Sequence, residues 1–139
     1  MARVLVIIPA YNEEETIAQT VTALMRATPY DYIVVNDGST DRTREILVQN
    51  GFNFLDLPVN LGIGGAMQTG YKYALMHGYD YAIQLDADGQ HDPADLDKLV
   101  REIQTGEWDL VIGSRFVQPT GYRGSRLRRI GISYFSFIL

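Results

Sequence analysis

The sequence predicts an α/β fold, a mostly parallel sheet flanked by helices on both faces. Short runs rich in β-branched residues at 4–8, 32–36, 52–57, 81–85 and 110–113 alternate with segments of helical length and pattern. The first run, Val4-Leu5-Val6-Ile7-Ile8, is apolar throughout, as a strand covered on both sides must be. The chain has 139 residues, 46% of them hydrophobic and none of them cysteine, which suits one ordinary globular domain. That composition excludes collagen-like, low-complexity, disordered and disulfide-stapled classes, and the lack of cysteine excludes thiolate metal sites.

Each helix has a local rationale. The first is expected over 13–27, with Asn12 as N-cap and Glu13, Glu14 and Glu15 in its positive first turn. The second starts at Thr40 or Asp41. The third, 64–77, carries small residues along one side (Gly65, Ala66, Gly70, Ala74), which implies close approach to backbone or ligand. The fourth begins at Pro93 behind Asp92 as cap, with Asp95 and Asp97 in its first turns. His77 falls at a helix C-terminus, where the dipole favours it.

The net charge of −5 is unevenly distributed. From Ser114 onward there are five arginines (115, 123, 126, 128 and 129) and no acid, so the first 113 residues carry −10. An acidic body argues against a general nucleic-acid binder. Met1-Ala2-Arg3 and the short apolar run behind it fail as a signal peptide. The closing stretch 130–139, broken by Gly131 and two serines, falls short of the roughly 20 apolar residues a bilayer span requires. An Arg-rich segment followed by Tyr, Phe, Ile and Leu suits either an anionic membrane surface or a core helix with a solvated first turn.

Open α/β sheets bind ligands at the carboxyl ends of their strands. Those ends carry Pro9-Ala10-Tyr11-Asn12-Glu13, Asn36-Asp37-Gly38-Ser39-Thr40-Asp41, Asn60-Leu61-Gly62, Asp86-Ala87-Asp88-Gly89-Gln90-His91-Asp92 and Gly113-Ser114-Arg115. No G-x-x-x-x-G-K-[ST] occurs, which excludes a P-loop. Gly62, Gly64 and Gly65 approach a dinucleotide fingerprint but have Met67 at its last position and follow the wrong strand. An EF-hand starting at Asp86 would put Pro93 and Asp97 where that loop needs other residues. Asp86 and Asp88 are two residues apart just past a strand, so they point the same way and can share one divalent ion with a diphosphate. A solvated capping cluster is the bland alternative, and His91 on its own reads as a surface loop histidine in preference to an imidazole ligand. Asp37 can accept from a base N–H or simply serve the turn that Gly38 completes.

Taken together and in order, these motifs resemble those of family 2 glycosyltransferases of GT-A fold, closest to the dolichyl/polyprenyl-phosphate sugar transferase branch. The resemblance covers essentially the whole chain. It implies a Rossmann-like nucleotide-diphospho-sugar transferase core, C-terminally shortened, with a donor-binding core at 1–113 and an Arg-rich acceptor- or membrane-proximal segment at 114–139. It further implies that Pro9, Tyr11, Glu13, Asp37 and Gly64 hold the nucleotide, that Asp86, Asp88 and Gln90 hold Mg2+ or Mn2+ and the diphosphate, and that Arg115 and Arg129, with Ser133, contact an acceptor phosphate. Asp88, Arg115 and Arg129 are the catalytic candidates.

The expected reaction is inverting transfer from a UDP-, GDP- or dTDP-linked sugar to a lipid phosphate or glycan. A phosphate acceptor is already anionic and needs no general base, whereas a hydroxyl acceptor does. The expected location is cytoplasmic, at a membrane's cytoplasmic face, with membrane or self-association through the apolar C-terminal segment and no nucleic-acid partner. The rival readings are a catalytically incomplete nucleotide-sugar-binding module or fragment, a polysaccharide-forming transferase, and a sugar-nucleotide pyrophosphorylase. Pro9-Ala10-Tyr11-Asn12-Glu13 lacks the Gly-, Arg- and Lys-containing loop the last would show.

Overall fold

The first strand, β1 (Val4–Ala10), is buried at all seven positions, so it needs neighbours on both edges and cover on both faces. The structure, a computed structural model, describes residues 2–107, 109 and 111. Strands β2 (Asp31–Asn36), β3 (Phe54–Asp56) and β4 (Tyr81–Gln84) complete a parallel sheet in the order β3-β2-β1-β4. Ala10 lies opposite Asn36 on one side of β1, and Ile7 lies opposite Gln84 on the other.

The two-residue period of the strands divides the core between four helices, α1 (Ile17–Ala27), α2 (Thr43–Gln49), α3 (Gly62–Met76) and α4 (Leu96–Gln104). Val6, Ile8, Ala10 and Val34 pack with Ile17, Val21 and Leu24 of α1, Leu47 of α2 and Leu96 of α4. Leu5, Ile7, Ile33 and Val35 face the other way, onto Ala66, Met67 and Ala74 of α3. Each such aliphatic side chain contributes about 1.5–3 kcal/mol on burial, so most of the stabilisation converges on β1 and β2. The small side of α3 permits close contact: a Cβ on Gly70 would collide with the fully buried Ile7.

The chain reaches β2 and then β3 on one side of β1, and α3 returns it to β4 on the other side. The strand order therefore reverses between β1 and β4, and the loops leaving those two strands diverge to open a crevice.

Several expected boundaries shift. The first helix starts at Ile17, not at Glu13, and its first turn holds no acid. Asn12 is not its cap, because its backbone is left-handed, with φ of 52°, and its side chain points to the next loop. The second helix starts at Thr43 behind a turn in which Asp41 accepts from the Thr43 N–H. The third begins two residues early, at Gly62, and the third strand is only Phe54–Asp56. Asp92 does cap Pro93, accepting from the Ala94 N–H at 2.9 Å, but the first turn is a 3-10 turn, Pro93–Asp95, before α4. Of the expected strand at 110–113 only Val111 is among the described residues, and the segment 114–139 lies outside them. No helix among the described residues is long and apolar enough to cross a membrane.

Two expectations follow. Gly70→Val should cost about 3 kcal/mol, the upper end of core overpacking, measured as a lowered urea midpoint at unchanged slope. Tyr30 donates to Asp97 Oδ1 at 2.6 Å, and burial, this bond and the Asp97 charge push its pKa up to about 12. The phenol's contribution to stability is therefore complete below pH 10 and lost as pH rises through about 12. Urea midpoints taken across that window should fall in the wild type and fall less in Tyr30→Phe.

Candidate active site

The crevice at the carboxyl ends of β1, β2 and β4 is lined by Pro9, Ala10, Tyr11, Glu13, Asp37, Ile63, Ala66, Asp86, Ala87 and Asp88. Its volume of about 210 Å³ is below the ~300–1,000 Å³ usual for small-molecule sites, so the described residues form a floor open on one side. Six residues expected at the nucleotide and metal, Pro9, Tyr11, Glu13, Asp37, Asp86 and Asp88, come together here. Gly64 and Gln90 do not line it. Arg115, Arg129 and Ser133 lie outside the described residues.

Asp37 is buried, and its Oδ1 accepts from the Leu61 N–H at 2.7 Å, tying the end of β2 to the start of α3. The Asn60 side chain closes the same joint, donating to the Asp37 carbonyl and accepting from the Gly62 N–H. Gly38 makes this approach possible: φ is +67°, and a Cβ there would stand 2.5 Å from the Asn60 nitrogen.

The β1 and β2 loops are clamped together. Asn12 Oδ1 accepts from the N–H groups of Thr40 and Asp41, and the Asn12 N–H donates to Ser39 Oγ. The fully buried Thr43 hydroxyl accepts from the Glu13 N–H at 2.9 Å and donates to Asp41 Oδ1 at 2.6 Å. Burial alone would raise the Asp41 pKa, but hydrogen bonds from the Thr43 hydroxyl, the Thr43 N–H and the Glu14 N–H outweigh it and hold the carboxyl below its ordinary value. The clamp thus fixes the backbone that presents Tyr11, 47% exposed, and Glu13 to the crevice.

Past β4 the strand's alternation continues, with Leu85 and Ala87 in the core and Asp86 and Asp88 in the crevice. Asp86 is held on both oxygens, by Gln84 Nε2 at 3.0 Å and His91 Nε2 at 3.2 Å. Asp88 Oδ1 accepts from the Gln90 N–H at 3.0 Å, while among the described residues nothing donates to Oδ2. Gln90 thus acts on Asp88 through its backbone.

Sequence reasoning missed two groups. Ile63 enters the lining because α3 begins early. Thr16 and Thr20 both reach the carbonyl of Ala87 from α1. A Thr20 hydroxyl on a helix face otherwise formed by Ile17, Val21 and Leu24 was the available signal, because a buried polar group needs a partner.

Comparison with known proteins identifies the family and the fold. The profile described as Glycosyl transferase family 2 matches residues 5–138. The UDP-N-acetylglucosamine–dolichyl-phosphate N-acetylglucosaminyltransferase of Methanococcus voltae is 34% identical over 154 residues, covering 96% of this chain and 61% of its own length. The undecaprenyl-phosphate mannosyltransferase of Micrococcus luteus is 40% identical over 121 residues, covering 83% and 49%. Glucosyl-3-phosphoglycerate synthase from Mycobacterium tuberculosis, solved with Mn2+, UDP-glucose and phosphoglyceric acid, superposes with a TM-score of 0.62 at 26% identity over 76% of this chain and 41% of its own. The chain thus spans about half to three fifths of the length of these two relatives. With a profile match over nearly its full length, a 34% identical relative and a solved structure of the same sheet architecture, the chain belongs to glycosyl transferase family 2 and has its GT-A fold.

Proposed function

We propose that this crevice binds a nucleoside-diphosphate sugar with a divalent cation, and that the chain carries the donor side of an inverting glycosyltransferase whose acceptor is a polyprenyl or dolichyl phosphate. The observation that carries the reading is the convergence of Tyr11, Glu13, Asp37, Asp86 and Asp88 from three strand ends onto one crevice. The acceptor class is taken from the names of the relatives, two of which act on dolichyl or undecaprenyl phosphate.

The residues fit a hard cation. Asp86 and Asp88 offer only oxygen, and Asp88 Oδ2 has no competing donor among the described residues. Among those residues no three His, Asp or Glu side chains could hold a metal by themselves. Two carboxylates suit Mg2+ or Mn2+, which take few protein ligands and complete their shell with phosphate oxygens and water. When bound, such a cation supplies positive charge where the departing diphosphate gathers negative charge.

The chain's own residues do the positioning. Asp37, one oxygen committed to Leu61, offers the other to a donor hydrogen on base or ribose. Glu13 presents a carboxylate to ribose hydroxyls, and half-exposed Tyr11 offers an aromatic face. A phosphate acceptor attacks as an anion, so no group here has to remove a proton. Arg115 and Arg129, whose forked guanidinium groups match phosphate oxygens, are assigned to that acceptor, and the Arg-rich 114–139 segment to a cytoplasmic membrane face.

Calorimetry with UDP, GDP and dTDP, each with and without Mn2+, tests the donor assignment. Mn2+ should tighten binding of one nucleotide, and Asp88→Asn should remove at least about tenfold of that gain. Equal affinity with and without the metal would contradict the assignment. Transfer of labelled sugar to a polyprenyl phosphate, lost in Arg115→Ala and Arg129→Ala, tests the acceptor; nucleotide binding without any transfer would favour a binding module instead.

A further inference from the structure

The turn bearing Asp86 and Asp88 is anchored from behind by a pair of hydroxyls that touch neither side chain. Ala87, between the two aspartates, is 3% exposed, and its carbonyl accepts from Thr16 Oγ1 at 2.7 Å and from Thr20 Oγ1 at 3.2 Å. The threonines are four residues apart, on one face of the start of α1, so both reach the same oxygen. Both lone pairs of that carbonyl are thereby engaged, on a residue that cannot rotate without swinging Asp86 and Asp88 with it. Thr20 is 6% exposed, and among the described residues its hydroxyl has no other hydrogen-bond partner. Thr16 also lies 3.2 Å from Glu13 Oε2, on the nucleotide side of the crevice. The Ala87 carbonyl is the nearer of these two acceptors for the hydroxyl's single proton.

We propose that Thr16 and Thr20 are positioning residues for the cation: by fixing the Ala87 carbonyl they hold the turn that presents the Asp86 and Asp88 carboxylates to the crevice, where these would bind a cation shared with a diphosphate. The inference rests on the donor-site reading above and assigns it a feature no motif carries. Supports of this kind behind metal ligands commonly change metal affinity by 10–100-fold. A purely structural pair would affect every function of the fold equally, whereas a positioning pair acts on the metal-dependent part of binding.

The test measures the affinity of the 139-residue chain for UDP and for GDP with and without Mn2+, together with Mn2+ uptake by electron paramagnetic resonance. In Thr16→Val/Thr20→Val, which keeps shape and removes both donors, the Mn2+-dependent gain should shrink about tenfold, equivalent to about 1.4 kcal/mol. Nucleotide affinity without metal should hold within about twofold. Thr16→Ser/Thr20→Ser, which keeps the hydroxyls, should restore the gain. If the double valine variant does not fold, Thr16→Val alone should show the larger part of the effect, because its bond is the shorter. An unchanged gain in a folded valine variant, or an equal loss with and without metal, overturns the inference while leaving the donor site standing. A wild type that gains nothing from Mn2+ overturns the donor-site reading and the inference together.

Discussion

The burial of β1 on both faces and both edges constrains everything else in this structure. Seven consecutive buried residues leave no room for a polar side chain within the strand, so its first polar groups appear where the chain leaves the sheet, at Tyr11, Asn12 and Glu13. Strands β2 and β4 run parallel to it and end at the same edge, which gathers Asp37, Asp86 and Asp88 at that edge too. The acidic crevice is thus a consequence of parallel pairing. A carboxylate inside these strands would face a desolvation cost of several kcal/mol, whereas at their ends it lies in the open crevice or, like buried Asp37, is compensated by a backbone N–H.

Holding like charges in one crevice then requires a rigid frame, and hydroxyls and amides provide it. Asn12, Ser39, Thr40, Asp41 and Thr43 lock the first two loops together, Asp37 and Asn60 lock the second loop to α3, and Thr16 and Thr20 lock the turn after β4 to α1. Each bond is worth about 0.5–1.5 kcal/mol net, but the frame fixes where the carboxylates point, which individual energies do not convey. Repulsion among the carboxylates is the feature a divalent cation and hydrogen-bond donors on a nucleotide would relieve.

Much of this layout was legible in the sequence because two physical signals are local. The apolar runs located β1, β2 and β4 to within one or two residues, and the turn chemistry of Asn36-Asp37-Gly38 and Asp92-Pro93 located loops that matter. The strand ends alone contain eight of the ten lining residues, all but Ile63 and Ala66. The failures occurred where tertiary partners override local preference. Asn12 looks like a helix cap in isolation, but three hydrogen-bond partners on the neighbouring loop draw it into a left-handed conformation, and α1 starts later as a result. Thr16, Thr20 and Thr43 act through residues distant in sequence, Ala87 lying 71 and 67 positions from the first two; the apolar face around Thr20 signals that its hydroxyl needs a partner but not which one.

On the proposed function, nucleotide and cation share the crevice between the ends of β1 and β4. The most direct measurement is nuclear magnetic resonance of the labelled chain titrated with nucleoside diphosphate and Mn2+. Paramagnetic broadening should centre on Asp86–Asp88, spread to Tyr11, Glu13 and Asp37, and require the nucleotide. Broadening centred elsewhere, such as on Asp31 and Asp80 at the opposite edge of the sheet, or equally strong without nucleotide, would contradict it.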